Sequence, residues 1–509
     1  RLSPAAAPAT AGAAVRGFRV LLMPITKKGF VPTKVSTIVC QGGLSTAVPM
    51  LTLEPGEATQ LANYEIDGLA RYTRVAGYER FDGRQSPFDS DFSLITVDDA
   101  SGFTAGDTIT GDSSTATSTA VAVDAATNTI AVVDVDGTYT VGEGLNTATA
   151  TLLTTPALNF APTPTLKKTF VAAKETYYRD RIGAVPGSGP VRGVVTYKGE
   201  VYALRDTVDG LAKKLYRATA SGWSEITTPT LDPGGKFKFV VSNFVGSSGQ
   251  QVLIGVDGVN PAFHYDGTTF TQVTTEISPD TPVAVAALPS NILALGYANG
   301  SLMTSAINEP LNFDAVDGAS EIAVGDEILE LAVQPTKALA IFCARRLMIL
   351  YGTSPLDFEL TTFSAELNCV PDSAQPLGDT VFLSDTGIRR LTRVQRFGDF
   401  QDEDLSLKIR DLLQAYRGNT ACSYVVRRKN QYRICFDDNT GVSLTFLNTE
   451  TVLGASTFEY RMQPFCAYTG RDSNTDEMIF VGAEDGFVYQ MEKGNNFDGE
   501  SIIALCRLG

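Results

Sequence analysis

The residues that could carry out covalent chemistry are few in this sequence. His264 is the one histidine in 509 residues, so a catalytic triad or a histidine general base would have to use it. Its neighbours, FHYDG, are typical of a β-hairpin and include no serine nucleophile. The seven cysteines are scattered without a C-x-x-C pair, which indicates reduced thiols of a protein made in a cytosol. We therefore expect no metal site and no cofactor.

Carboxylate side chains are abundant but show no diagnostic spacing for catalysis. A carboxylate pair suited to glycoside cleavage stays open, because only geometry distinguishes such a pair. The S-x-D-x-G-x-T-W box of sialidase propellers is missing, and SDTGIRR (384–390) is the nearest approach. VDVDG (133–137) and DDNTG (437–441) could bind calcium, although turn aspartates more commonly cap their own backbone. We predict that the protein is not an enzyme.

The Gly-rich stretch VPGSGPVRG (185–193) has the composition of a phosphate-binding loop but not its order. A P-loop runs from a strand into a helix and ends in Lys-Ser/Thr, so that helix amides and the lysine meet the phosphates. Here a helical pattern precedes the stretch, strands follow it, and Arg192-Gly193 stands in place of the lysine. The stretch predicts a helix C-cap and a turn into a sheet.

The charge balance argues against DNA binding. The chain has 57 acidic and 41 basic residues, a formal net charge of −16, whereas a nucleic-acid reader gains affinity from basic residues. An acidic surface still lets DNA pass without sticking. The basic clusters flank strands, where we expect solvated sheet edges or subunit contacts. They are Lys213-Lys214, Arg345-Arg346, Arg389-Arg390 and Arg427-Arg428-Lys429.

Helical patterns occur at three places. LEPGEATQLANYEI (53–66) predicts a helical turn, because Pro and Glu stand at its front and apolar residues fall on one face. Residues 165–182 and EDLSLKIRDLLQAY (403–416) each predict a helix from apolar residues at helical spacing. The apolar runs are too short to cross a bilayer.

From about residue 190 onward, apolar strands alternate with polar turns, many of them Asp-Gly or Asn-Gly. A strand–turn–strand unit recurs at spacings of roughly 40 to 50 residues, the period of four-stranded propeller blades. The anchors on its second strand are Tyr216, His264, Met303, Ile349, Leu391, Leu444 and Tyr489. We predict a mainly β protein built on a β-propeller of six to eight blades, with an N-terminal platform segment and an inserted small β-module. Two packed β-sandwiches are the alternative.

Composition divides the chain into five parts. Residues 1–92 form an N-terminal arm and platform strands, and the Ala/Pro-rich residues 1–14 predict a flexible arm and not a signal peptide. Residues 93–155 are rich in Thr, Ala and Val and lack Lys and Arg, which indicates the inserted β-module. The other parts are a helix and linker (156–189), the propeller (190–499) and the start of a C-terminal platform strand (500–509).

Three stretches carry a resemblance to a known family. They are QGGLSTAVPMLTLEPGEATQLANYEIDGLARYTRVAGYERFDGRQSP (41–87), RIGAVPGSGPVRGVVTYKGEVYALRD (181–206) and FVGAEDGFVYQMEKGNNFDGE (480–500). They resemble, in this order, the N-terminal segment, the start of the propeller and the last blade of tail nozzle (tail tubular B-type) proteins of short-tailed, podovirus-like bacteriophages. The stretches are structural motifs of moderate specificity, and their order along the chain carries the resemblance.

The resemblance implies a structural virion protein that holds and conducts genome DNA without catalysis. In that family six copies form a ring at the distal end of the tail below an adaptor ring, with the propeller outside and other segments around a DNA channel. The implied partners are five other copies of this chain, the adaptor ring protein, and tail fibre or spike proteins. Genomic DNA would pass through the channel without specific binding, and the assembly would meet the host cell surface. The implied location is the virion tail, assembled in the host cytoplasm. We expect Gly42, Gly43, Tyr64, Tyr78, Arg80 and Phe81 to pack the platform.

Two other functions stay open. The first is a receptor- or carbohydrate-binding tail propeller, with glycan cleavage as a variant, which exposed aromatic residues at the propeller centre would favour. The second is a cytosolic scaffold propeller unrelated to phages.

Overall fold

The computed structural model describes residues 40–509 apart from residues 41, 70, 148, 245–250, 394–399, 449–450 and 473. The predicted arm at residues 1–14 therefore lies outside the described residues. Within the described part, and apart from the sheet of the inserted module, seven sheets each contain a run of four antiparallel strands. These sheets are called blades one to seven.

The first four blades follow one another along the chain. Blade one contains Ser188–Tyr197, Glu200–Asp206, Lys213–Thr219 and Gly222–Leu231. Blade two contains Lys238–Ser242, Val252–Val256, Phe263–Tyr265 and Phe270–Gln272. Blade three contains Ala284–Leu288, Ile292–Gly296, Ser301–Thr304 and Ser320–Ala323. Blade four contains Ile328–Val333, Leu339–Cys343, Leu347–Tyr351 and Glu359–Ser364.

Blade five again consists of four consecutive strands, whereas blades six and seven also include strands from outside the repeat. Blade five contains Gln375–Leu377, Asp379–Ser384, Gly387–Arg393 and Phe400–Asp404. Blade six contains Thr420–Val426, Gln431–Phe436, Thr440–Phe446 and Val452–Glu459, extended by Ala58–Ala62 and Leu505–Leu508. Blade seven contains Pro464–Arg471, Glu477–Ala483, Val488–Met491 and Tyr78–Phe81, extended by Asn496–Phe497 and Glu500–Ser501.

A buried apolar cluster lies between each blade and the next, and another joins blade seven to blade one. Phe342 of blade four and Phe382 of blade five, for example, lie 4.9 Å apart between ring centroids. Val194 of blade one and Phe480 of blade seven share the cluster that closes the ring. Because both faces of each blade are covered, successive residues of its central strands are apolar although they point to opposite faces, as in Ile292–Gly296 and Leu339–Cys343. The predicted β-propeller is confirmed, with seven blades.

The predicted repeat has the right period and is offset by one strand. Each of the seven anchor residues lies on the third strand of its blade, one per blade. The strongest sequence signal is therefore the hairpin between the second and third strands, since these central strands are the most deeply buried.

The seventh blade is completed by a strand from the N-terminal part of the chain. Tyr78–Phe81 pairs antiparallel with Val488–Met491, with Tyr78 opposite Met491 and Phe81 opposite Val488. This strand, assigned from sequence to the platform, thus belongs to the propeller sheet. A ring closed by strands from distant parts of the chain leaves no open seam between first and last blades.

The helical turn predicted at 53–66 is wrong, because this stretch forms two strands. Ala58–Ala62 pairs parallel with blade six and antiparallel with Leu505–Leu508, and Tyr64–Ile66 pairs with Tyr72–Arg74. Ala58 and Leu61 are fully buried against blade six. Pairing with distant strands overrides the weak local helical preference.

The helix predicted at 403–416 is half right. The α-helix spans Arg410–Tyr416, preceded by a 3₁₀ turn at Leu407–Ile409, while Phe400–Asp404 is the last strand of blade five. Other 3₁₀ turns lie at Met50–Thr52, Ala315–Asp317, Arg417–Asn419 and Arg427–Lys429.

The inserted module forms its own six-stranded sheet. Its strands are Ser93–Val97, Thr108–Thr110, Thr117–Asp124, Thr129–Asp136, Gly144–Leu145 and Ala150–Leu158. The helix predicted at 165–182 is present at Pro164–Arg181, and Thr163 caps it by accepting a hydrogen bond from Leu166 N. Phe170 and Tyr178 on this helix pack against the module sheet. The helix thus joins the module to blade one.

We predict that Tyr78→Ala destabilises the protein by about 3 to 5 kcal/mol, because it removes a fully buried aromatic ring from the ring-closing strand. Tyr78 is 1% exposed, and its ring stacks on Phe497 at 4.8 Å. The measurement is urea unfolding followed by circular dichroism. Phe160→Ala, at a side chain that is 56% exposed, is the control and should change stability little. Equal effects of the two substitutions would contradict the closure role.

Candidate functional site

The six residues expected to pack the platform all lie in residues 42–81, here called the platform segment. The structure divides them between two blades. Gly42, Gly43 and Tyr64 lie against blade six, whereas the strand from Tyr78 to Phe81 belongs to blade seven. The segment therefore bridges the two final blades.

Gly43 lets the platform segment approach the last strand of blade six closely. Its φ is +75°, and a Cβ at this position would lie 2.7 Å from the backbone N and O of Ala455. Its own N–H donates to the Tyr72 hydroxyl at 3.1 Å, and Leu44 N donates to Ala455 O at 2.7 Å. Because both the backbone angle and the space favour glycine, any side chain here would force the segment off the blade.

Tyr78 joins three parts of the chain. Its hydroxyl accepts hydrogen bonds from Arg461 N at 2.8 Å and Met462 N at 3.3 Å. Its ring meets Tyr460 and Tyr489 edge-on at 5.4 and 5.3 Å. Burial raises the pKa of this phenol, so it stays neutral and keeps its hydrogen bonds at any ordinary pH.

Arg80 and Phe81 attach the same strand to the end of the chain and to the blade. Arg80 Nε donates to Asp498 Oδ2 at 2.8 Å, and its guanidinium lies 4.6 Å from the centroid of Phe487. The Phe81 ring lies 4.9 Å from that of Phe480. These contacts hold the ring-closing strand from both of its faces.

A buried ion network, missed by sequence reasoning, fastens the platform segment. Arg433 Nη2 of blade six lies 3.0 Å from Glu65 Oε2 and 2.9 Å from Glu492 Oε1. Lys429 Nζ bridges the same two carboxylates at 2.7 and 2.5 Å. Arg433 is 2% exposed, so its charge depends on these partners. In the sequence only the basic run Arg427-Arg428-Lys429 indicates this network. The carboxylates of Glu65 and Glu492 lie far from the run along the chain, so no local pattern links them to it.

Two of the basic clusters expected at solvated edges each contain one buried residue. The Lys213 side chain is fully buried and forms an ion pair with Asp257, with its ammonium 4.6 Å from the Phe237 centroid. Arg390 is 3% exposed and ion-paired with Glu403. Arg345 does remain exposed. A strand residue between two blades is buried whichever face it points to, so a charge there needs a partner.

His264 and the Gly-rich stretch do not come together. His264 is half-buried in the third strand of blade two, where burial lowers the pKa of its imidazole. The predicted helix C-cap is wrong for the Gly-rich stretch, because the helix is capped earlier, at Ile182, and residues 188–193 already belong to the first strand of blade one. Arg205 donates to the carbonyl oxygens of Val185 at 2.5 Å and Gly189 at 2.8 Å. The stretch is thus held through its carbonyl groups.

A cavity of about 270 Å³ lies at the centre of the propeller. First strands of neighbouring blades contact one another around it, for example Thr420–Val426 of blade six with Pro464–Arg471 of blade seven. Blades two to seven all contribute to its walls. Representative lining residues are Phe239, Val285, Leu331, Gln375, Ser423 and Tyr468.

Two lysines reach across this cavity, Lys238 at the start of blade two and Lys236 just before it. Lys236 Nζ donates to Asp372 Oδ2 at 2.8 Å and also to the carbonyl oxygen of Ala421, at the start of blade six. Lys238 Nζ donates to Leu329 O of blade four at 2.7 Å and lies 3.6 Å from Glu330 Oε1. These contacts skip blade three and tie opposite sides of the ring together.

Burial and neighbouring charges shift the pKa values of these central groups in opposite directions. Burial alone would lower the pKa of Lys238, but the carboxylates of Glu330 and Asp372 raise it above its ordinary value. Burial would likewise raise the pKa of Asp372, but Lys238 and Lys236 lower it. For Glu330 burial prevails over Lys238 and raises the pKa of its carboxyl. The cavity is therefore charged and polar at its centre.

The described residues show neither a membrane-spanning helix nor a metal-binding cluster. None of their helices combines the length and apolar character that crossing a bilayer demands. They contain no group of three or more His, Cys, Asp or Glu side chains placed to hold a metal ion.

Comparison with known proteins yields structural likeness only. No protein-family model matches the chain, and no curated protein matches it. Virginiamycin B lyase from Staphylococcus aureus is 12% identical, with 60% of this chain and 94% of that one covered and a TM-score of 0.41. BBS1N in complex with ARL6DN gives 12% identity, coverage of 61% and 94%, and a TM-score of 0.40. YCF48 bound to D1 peptide is 12% identical, with 61% of this chain and 94% of that one covered and a TM-score of 0.39.

We predict that Arg433→Met lowers the free energy of unfolding by about 3 to 5 kcal/mol, because it leaves Glu65 and Glu492 buried with less compensating charge. Urea unfolding measures the change. Lys214→Met, which breaks the exposed pair with Glu225, is the matched control and should cost at most about 1 kcal/mol. A cost for Arg433→Met as small as that of the control would show that the network contributes little.

Glu492 also predicts a pH dependence. Burial would raise its pKa, but Arg433 and Lys429 lower it from 4.5 to about 2. A carboxyl with a lowered pKa stabilises the fold fully above its ordinary pKa, and this stabilisation is lost as the pH falls from about 4.5 towards 2. Stability measured across this window should fall less steeply in Glu492→Gln, whereas the exposed Glu484→Gln should keep the original slope. An unchanged slope in Glu492→Gln would refute the assignment.

Proposed function

We propose that this protein is a structural component of a short bacteriophage tail, a nozzle whose copies form a ring that retains and then conducts the genome. The observation that carries the proposal is that the platform segment contributes strands to the propeller sheets. One of the three stretches that resemble tail nozzle proteins, residues 41–87, also supplies the strands that extend blade six and complete blade seven. Platform and propeller therefore behave as one mechanical body.

This construction suits a load-bearing part. The ring is closed by backbone hydrogen bonds between strands, and the platform segment is held by a buried ion network at Arg433. Removing either attachment would expose buried apolar or charged groups, so the two parts separate only at high energetic cost. A conduit under the pressure of packaged DNA requires this kind of stiffness.

The filled centre of the propeller indicates where the DNA path lies in the assembly. Lys236 and Lys238 cross the axis, and the space that remains has the size of a small ligand. A DNA duplex therefore passes between copies of the chain and not through one propeller. The net charge of −16 favours passage without binding, since acidic surfaces repel phosphates.

The proposal assigns the following partners and course of events. Six copies assemble below an adaptor ring, beside tail fibres or spikes, in the virion tail after synthesis in the host cytoplasm. Loop contacts around the narrow bore break when the tail meets the host surface, and the genome leaves. In this role the protein performs no catalysis.

Electron microscopy tests the assembly. We expect negatively stained particles of the purified protein, alone or mixed with an adaptor ring, to show rings with sixfold symmetry. We also expect antibodies against the chain to label the distal tail of virions. A gel-shift assay at physiological salt should show no retention of duplex DNA, because the chain lacks the excess of basic residues that phosphate binding requires. A protein that stays monomeric under all these conditions and is absent from virions would end the proposal.

A further inference from the structure

The central cavity holds polar atoms that the protein leaves incompletely paired. Glu330 is 7% exposed, and its Oε1 accepts no hydrogen bond from the described residues. Lys238 Nζ lies 3.6 Å from this oxygen and 3.7 Å from Asp372 Oδ1, both beyond normal hydrogen-bond length. Among the described residues its one hydrogen bond goes to Leu329 O. Burying a carboxylate oxygen without a donor is costly, so this oxygen needs a donor from a solvent molecule or a ligand in the cavity.

The charges in the cavity balance. Two ammonium groups, Lys236 and Lys238, face two carboxylates, Glu330 and Asp372. Arg427 also lines the cavity, but Glu477 already accepts from its backbone N–H at 2.7 Å and lies 3.8 Å from its guanidinium. An ionic ligand would leave charge of one sign uncompensated. A hydroxyl group both donates and accepts, so it satisfies a carboxylate and an ammonium together.

Aromatic and apolar side chains form the rest of the wall. Phe239, Pro376 and Tyr468 line the cavity, and the rings of Phe237 and Phe239 are nearly parallel at 5.6 Å. A pocket with an apolar wall and a few convergent polar groups is the usual form of a small-molecule site. The volume of 270 Å³ exceeds the roughly 30 Å³ that one water occupies in the liquid. It accommodates one six-membered ring with its substituents.

Solvent reaches the site. The side chains of Lys236 and Asp372 keep 21% and 23% of their surface exposed, and Lys238 keeps 25%. A ligand can therefore enter along the propeller axis without the ring opening.

We propose that the central cavity binds a neutral, hydroxyl-rich molecule of monosaccharide size, such as a single sugar residue. Glu330 and Asp372 accept hydrogen bonds from its hydroxyl groups, Lys238 donates to them, and the apolar C–H face of the sugar lies against Phe239 or Tyr468. This site is independent of the nozzle function, since it lies inside one chain and needs no assembly.

Ligand-detected saturation-transfer NMR and calorimetric titration of the full chain test the site. The probes are D-glucose, D-galactose and N-acetyl-D-glucosamine at millimolar concentration, with sodium sulfate as the anionic comparison. We expect at least one of the sugars to bind and sulfate not to compete. Glu330→Gln and Lys238→Met should each weaken binding by about tenfold or more, the loss of one charge-assisted hydrogen bond.

Matched controls separate binding from folding. Lys214→Met and Glu225→Gln, in the exposed pair on blade one, should bind the sugar as the unaltered chain does. Glu330→Gln preserves the shape of the side chain, and an unchanged thermal melt shows that it still folds. Three results would overturn the proposal: no binding of any of the three sugars, binding of sulfate in their place, or undiminished sugar binding by both cavity variants.

Discussion

The fold depends on the pairing of Tyr78–Phe81 with Val488–Met491, which closes the ring. Without it, the last sheet would present an unpaired edge, and the cluster between blades six and seven would lose Tyr78. The two strands are about four hundred residues apart, yet the entropic cost of closure grows only with the logarithm of this separation. The platform segment is therefore a structural part of the propeller.

Charge is used inside this ring mainly to tie distant strands together. The Arg433 network joins the platform segment to blade six and to Glu492, which follows the third strand of blade seven. Lys236 and Lys238 tie blade two to the opposite side of the axis. Arg433 is 2% exposed, whereas the side chains of Lys236 and Lys238 keep 21% and 25% of their surface exposed, and each cation is stabilised by its carboxylate or carbonyl partners. The same central charges give the cavity its polar character, so one set of residues serves both structure and the proposed ligand site.

Local signals predicted the elements whose stability is local. The helix Pro164–Arg181 has a capping Thr, a leading Pro and a regular apolar face, and sequence located it within one residue. The hairpins of the blades were found through their turns, because Asp-Gly and Asn-Gly specify tight turns whatever surrounds them. Ala58–Ala62 was misread as helical, since its conformation comes from strands near residues 457 and 506. The six platform residues show the same contrast between local and long-range information. The sequence places them in one segment, and only the fold shows that they belong to two different blades.

The sequence by itself determined a mainly β chain with a repeating hairpin, a separate module and an acidic surface, because turn chemistry, periodicity and charge are properties of short stretches. Only the tertiary structure decided that there are seven blades, that an N-terminal strand completes the last one, and that Lys213 and Arg433 are buried. It alone brought Lys238, Glu330 and Asp372 around one cavity. The physical reason is that contacts between residues far apart in sequence decide which strands pair and which charges are buried. A local sequence pattern does not show which distant residues come into contact.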